Sequence, residues 1–182
     1  AQQGHISKEL SDSVQDSNQA DKELDQIIGW DFNWQNLKGG NMNLFPPFEQ
    51  KVLEKLPNGF LRVQNPDGLI ELLRDGAGSI PAEDDYQLKD RAAFETLYKN
   101  KMLFHKDRIP YDYLSNNFNQ ERKDGPVGLN LGSVFGSVRN MLSVQGMSYL
   151  MYDDYPLLKE IVDTFAELQY RCVKEILQTG AK

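Results

Sequence analysis

Four side chains in this chain have the type and spacing to hold a small ligand. Asn130 is the polar residue of the short run Pro126-Val127-Gly128-Leu129-Asn130-Leu131, which Gly132-Ser133 then breaks. Arg139 follows in a segment with helical spacing from Val134 to Leu142, and Asn43 sits in a second apolar run, Asn41 to Phe45. An arginine one or two turns into a helix presents a planar fork that can hold a carboxylate bidentately. Ser133, with Ser137 nearby, can hydrogen-bond an anion beside the free backbone N–H groups of a helix start. Asn130 and Asn43 fall near the ends of expected strands, the positions that face the active site in an α/β barrel. Each residue also has a plain structural alternative. The Asn130 amide can satisfy a neighbouring backbone group, Ser133 can be a helix cap, and Arg139 can pair with Asp153 or Asp154.

The elements that must position these residues read as one strand–turn–helix unit. The Pro126–Leu131 run has the length and apolar character of a strand buried on both faces. After it, Gln145 to Tyr152 and the Asp153-Asp154 pair lead into a long amphipathic segment from Pro156 to Gln178. Leu158, Ile161, Phe165, Leu168, Cys172 and Ile176 step by three or four along that segment, which predicts a continuous buried stripe. Pro156 suits a first helical turn, acids before it suit the N-terminus, and Gly180 marks the stop.

Upstream, the pattern turns to β. Runs from Lys51 to Leu56, Phe60 to Gln64 and Leu69 to Leu73 are separated by Pro57-Asn58-Gly59 and Pro66-Asp67-Gly68. Asn-Gly and Asp-Gly predict hairpins with type I′ turns, so an antiparallel meander is expected over about 48–75. Asp90 is placed to cap a helix from Arg91 to about Met102, with Phe94, Leu97, Tyr98 and Met102 on one face. A short helix is possible over Tyr111 to Asn116. Residues 1–29 form a polar segment with a weak helical pattern over Ser7 to Ile28, stopped by Gly29. Residues 30–182 make up the second unit.

Composition narrows the function. With 182 residues and 40% hydrophobic content, the chain can build one core. A net charge of -7 argues against a nucleic-acid partner, and Lys99, Lys101, His105, Lys106 and Arg108 read as a solvated face. No apolar run is long enough to span a membrane, and a cytoplasmic location is expected. The single cysteine, Cys172, rules out an internal disulfide, and with His5 and His105 far apart no metal site is expected. Trp30, Phe32 and Trp34 either line a flat pocket or pack in a core or interface. Glu83, Asp84 and Asp85, consecutive in an expected loop, have no reason to converge for acid–base work.

Several motifs in fixed order carry a resemblance. They are Phe45-Pro46-Pro47-Phe48-Glu49, the meander around Asp67-Gly68, Ser79-Ile80-Pro81, Asp90-Arg91-x-x-Phe94-Glu95, and Arg139 followed by Gly146 and Asp154-x-Pro156. Together they resemble the uroporphyrinogen decarboxylase-like superfamily, which includes decarboxylases and corrinoid methyltransferase relatives. The resemblance implies an α/β fold: a partial (β/α)8 TIM-barrel-like fragment with the antiparallel β-meander inserted. It implies that the chain is the N-terminal part of a longer protein, as the absence of an initiating Met also does. The parent would be a cofactor-free lyase acting on a carboxylate-bearing, porphyrinogen-like substrate. The family's strand aspartate would fall in Asn41-Met42-Asn43-Leu44 and its tyrosine near Val138-Arg139, so neither acid nor phenol is in place. The methyltransferase branch's zinc ligands, a His-x-Cys and a distant Cys, have no counterpart here. The alternative reading is a catalytically inactive structural domain. Half a barrel would leave Phe135, Val138, Leu142 and the Leu158–Ile176 stripe uncovered, so a homo-oligomer, as a symmetric dimer, is expected.

Overall fold

The structure, a computed structural model, describes residues 26–29, 39–74, 81–116 and 128–179. The expectations for residues 1–25, for Trp30, Phe32 and Trp34, for the Gly76–Ile80 loop and for Pro126-Val127 lie outside those residues. A helical turn at 26–28 ends at Gly29, whose φ of 76° is the left-handed stop.

The first layer is an open antiparallel sheet of four strands in sequential order: β1 (Lys51–Lys55), β2 (Phe60–Gln64), β3 (Leu69–Arg74) and β4 (Ala82–Tyr86). Both hairpins follow from Pro-x-Gly, by a different turn from the one expected. Proline fixes φ near −65° at the second turn position, which forbids type I′. The chain makes a type I turn closed by Gly59 N–H on Leu56 O (3.1 Å) and by Gly68 N–H on Asn65 O (3.0 Å). The glycine alone then takes positive φ, 81° at Gly59 and 83° at Gly68. Where the sequence predicts an acidic loop at Glu83–Asp85, the structure has β4. It is a charged edge strand, with Asp84 held by Arg62 at 2.5 Å and Asp85 by Lys89 at 2.9 Å.

Helices follow. Asp90 Oδ1 accepts from Ala93 N–H (2.8 Å) and starts α1, residues 91–102. It opens as an α turn at Arg91–Ala93, widens over Phe94–Tyr98 and tightens into a 3₁₀ turn over Lys99–Met102. Phe94, Tyr98 and Met102 are buried, but the widened turn rotates Leu97 out to 41% exposure. α2 is Tyr111–Asn116, α3 Val134–Asp153 and α4 Tyr155–Gln178. Asp154 separates the last two and caps α4 by accepting from Leu157 N–H (3.0 Å). The six stripe residues of α4 are all at 7% exposure or less. They join Leu88, Phe94, Tyr98, Met102, Leu114, Met141 and Leu142 in one core.

The barrel expectation is overturned. The sheet is antiparallel and open, and the described residues contain no parallel strand pair. Both runs read as barrel strands are bent by an asparagine instead. Asn41 Oδ1 accepts from Asn43 N–H (3.1 Å), and Asn130 Oδ1 accepts from Gly132 N–H (2.9 Å). These Asx turns divert N–H groups that a strand would pair in a ladder. Asn41 to Phe45 is therefore irregular, and Leu129 makes only an isolated bridge. Of the apolar surfaces expected to lie bare, Val138 and Leu142 are covered within the chain at 1% and 0% exposure, like the α4 stripe, whereas Phe135 is 64% exposed.

Candidate functional site

The structure disperses the four residues singled out by sequence. Asn130 and Ser133 share the loop that starts α3, and both are occupied locally. Asn130 holds Gly132, whose φ is 66°, and Ser133 Oγ accepts from Gly136 N–H at 3.0 Å. Asn43 belongs to another cluster, where its backbone carbonyl accepts from Arg108 Nη1 at 2.6 Å and its side chain is exposed. Arg139, also exposed, stands apart from these three. The expected ion pair to Asp153 or Asp154 is replaced: its Nη2 donates to the side-chain oxygen of Asn140 at 2.9 Å.

Arg139 gains its interest through that asparagine. The Asn140 amide lies beside the carboxyl of Asp67, at the tip of the β2–β3 hairpin, and favours its charged form. Burial is the larger influence on Asp67 and lifts its pKa above the ordinary carboxylate value. The tip is held in place from below. Tyr98 donates its hydroxyl to Asp67 O (3.2 Å), and Phe48 packs on the Tyr98 ring with centroids 4.9 Å apart. Gly68 is required there, because a Cβ would run into the Tyr98 hydroxyl and the Phe48 ring. Burial raises the Tyr98 phenol too, so it remains a neutral donor. One asparagine thus links a half-buried carboxyl, whose pKa burial raises, with an exposed guanidinium. The exposed guanidinium can grip an anion beside that carboxyl.

Arg108 is the contrasting cation. Read from sequence as part of a solvated face, it is buried at 1% exposure. Its guanidinium donates to the carbonyls of Leu103 (2.9 Å), Asn41 (3.1 Å), Asn43 and Lys101, with the Phe45 ring 5.4 Å away. No described carboxylate pairs with it, and burial lowers its pKa. Gly40 allows the approach: a Cβ there would lie 2.7 Å from Arg108 O. Cys172 is buried close by, and burial pushes its thiol up, away from the reactive thiolate.

The acidic run on β4 does structural work. α3 breaks at Ser143, where φ is 61° and ψ 168°, and restarts with Ser143 Oγ accepting from Gly146 N–H (3.1 Å). Glu83 takes the freed Val144 N–H at 3.2 Å, and the Tyr86 ring lies against Gly146. The described residues contain no cluster of metal-ligating side chains and no helix long and apolar enough to cross a membrane. Sequence reasoning missed Asp67 because its place in a Pro-Asp-Gly turn fully accounts for it locally. Only the packing of that turn on α3 marks it out. Comparison with protein-family models, with curated proteins and with solved structures finds no match for this chain.

Proposed function

We propose that the Asp67–Asn140–Arg139 corner binds a small molecule carrying carboxylates, with Arg139 as the anion anchor and Asp67 as the adjacent proton carrier. The observation that carries this reading is the single asparagine amide shared by a buried-leaning carboxyl and an exposed arginine. A guanidinium whose described bond is to a neutral amide keeps its full charge for an incoming carboxylate. The bound anion in turn raises the Asp67 pKa further, because like charges at short range disfavour ionisation. A protonated acid beside an anchored carboxylate is what cofactor-free protonation at carbon requires. That requirement agrees with the ordered motifs resembling the uroporphyrinogen decarboxylase-like superfamily, and a parent lyase on a porphyrinogen-like substrate is the reading they favour. Asn130, Ser133 and Asn43 act in it as scaffold.

Calorimetric titration with a tetracarboxylic porphyrin, the stable oxidised counterpart of a porphyrinogen, tests the proposal. Binding is expected for the wild type, with a loss of tenfold or more in Arg139→Gln and partial retention in Arg139→Lys. Equal binding by all three proteins would overturn it.

A further inference from the structure

α3 is two helices end to end, and the joint lies beside the corner. Ser143 takes φ 61° and ψ 168°, a combination that glycine adopts readily and serine holds only where its surroundings impose it. The imposing contacts come from β4. Glu83 Oε2 accepts from Val144 N–H at 3.2 Å, and the Tyr86 ring lies so near Gly146 that a Cβ there would be 2.6 Å from it. The second half of α3 is thus tied to β4, while the half that carries Arg139 and Asn140 meets the β2–β3 hairpin tip. Asn140 stands three residues before Ser143, about 4.5 Å along a helix axis. We infer that Glu83 is a positioning residue of this corner: by capturing Val144 N–H it fixes the break in α3 and so sets the Asn140 amide against the Asp67 carboxyl.

The three consecutive acids of β4 do different things. Asp84 is held by Arg62 and Asp85 by Lys89, whereas Glu83 reaches a backbone N–H of α3. The bond from Gly146 N–H to Ser143 Oγ stays within the helix and cannot hold the joint against the sheet. Without Glu83 the Val144 N–H loses its partner, the strained serine relaxes, and Asn140 moves off the hairpin tip. Asp67 reports that movement. The Asn140 amide favours its charged form, so withdrawal of the amide raises the Asp67 midpoint. Loss of the Glu83 charge acting directly would lower it, so the sign separates positioning from charge. Tyr98, the titratable side chain that faces Asp67 from α1, stays neutral throughout. As a statement about binding, the inference rests on the carboxylate-binding reading.

Carbon-detected NMR titration of Asp67 in the free 182-residue chain tests it, with porphyrin calorimetry as the second readout. In Glu83→Ala the midpoint is expected to rise by about half a pH unit, roughly a threefold gain in proton affinity, and porphyrin binding to weaken about threefold or more. Glu83→Gln keeps an oxygen acceptor and is expected to match the wild type in both. Asp84→Ala removes the neighbouring charge but no bond to α3, and should not raise the midpoint. If Glu83→Ala loses its helical circular-dichroism signal, Gly146→Ala, which pushes α3 off Tyr86, replaces it with the same expected rise. A midpoint that stays or falls in Glu83→Ala overturns the inference. So does a rise that Glu83→Gln shares, or an undiminished affinity for a porphyrin that the wild type binds. A wild type that binds no porphyrin, with the midpoints as expected, removes the carboxylate-binding reading and leaves Glu83 as the residue that places Asn140.

Discussion

Two arginines divide this molecule into a closed region and an open one. Around Arg108 the chain has turned four backbone carbonyls inward onto one guanidinium, and no face of it reaches water. Around Arg139 a single asparagine oxygen accepts, and the rest of the side chain is exposed. Both sit near asparagines, and both belong to segments that the sequence marks as interesting. The difference is in how completely the bonding capacity is used. A guanidinium filled by carbonyls ties two stretches of backbone together, the irregular Asn41–Asn43 segment and the end of α1 at Lys101–Leu103. A guanidinium left largely unfilled keeps its charge for something that arrives from outside.

The first way to break this comparison is to empty the closed region. Arg108→Lys keeps the charge and loses the fork, leaving carbonyls of Asn41, Asn43 and Leu103 short of donors, while Lys101 O keeps the Phe45 N–H. At about 1–3 kcal/mol for each buried group left unsatisfied, a loss of about 3–5 kcal/mol is expected, read as a lower urea midpoint. A midpoint unchanged from wild type would mean that the cage is not structural. Next in size is Gly68→Ala. It adds a Cβ at φ 83° against Tyr98 and Phe48, and about 2–3 kcal/mol of strain and overpacking is expected in the same assay. It should also displace the Asp67 tip and weaken porphyrin binding, whereas Arg108→Lys at a denaturant-free, folded concentration should bind normally.

How much of this was legible from sequence depends on whether the causes are local. The Leu158–Ile176 stripe was readable because a helix buries a face that repeats every three to four residues, whatever it packs on. The two hairpins were readable because Pro-x-Gly admits few turns, and the proline φ selects type I over the type I′ turn that Asn-Gly and Asp-Gly alone suggest. The apolar runs at Asn41–Phe45 and Pro126–Leu131 misled, since a short apolar run has no periodicity that separates a strand from irregular backbone. Their asparagines were the discriminating residues, and they were read as site candidates instead. β4 was hidden because Glu83-Asp84-Asp85 lacks the alternation of a half-buried strand and reaches its partners through Arg62 and Lys89. Arg108 was grouped with its basic neighbours because charge alone says nothing about which side chain is turned inward. The Asp67–Asn140 meeting joins residues 73 positions apart, counting from 67 to 140, and no local signal encodes it.

Smaller effects sharpen the contrast. Ser133→Ala removes a helix cap, so about 1 kcal/mol of stability should be lost with porphyrin affinity unchanged. Weakened affinity in that variant would move the site toward the start of α3. Asp67 provides a pH test. Its folded pKa lies above the ordinary value of 3.8, so protons bind the folded state more readily. Its contribution to stability is therefore full at low pH and declines as pH rises from the ordinary carboxylate range through the folded pKa. In Asp67→Asn that decline should vanish from urea midpoints measured across acidic to neutral pH. A wild-type profile superimposable on that of Asp67→Asn would contradict the assignment. Arg139→Gln should have the smallest effect on stability, within about 0.5 kcal/mol, as expected of an exposed side chain outside the core.

The most direct measurement is the titration of the Asp67 carboxyl itself, followed by carbon-detected NMR with and without the tetracarboxylic porphyrin. The account predicts a midpoint above the ordinary carboxylate value in the free chain. It predicts a further rise when the porphyrin binds, and no such rise in Arg139→Gln. A midpoint at or below the ordinary value that the porphyrin leaves unmoved would contradict it.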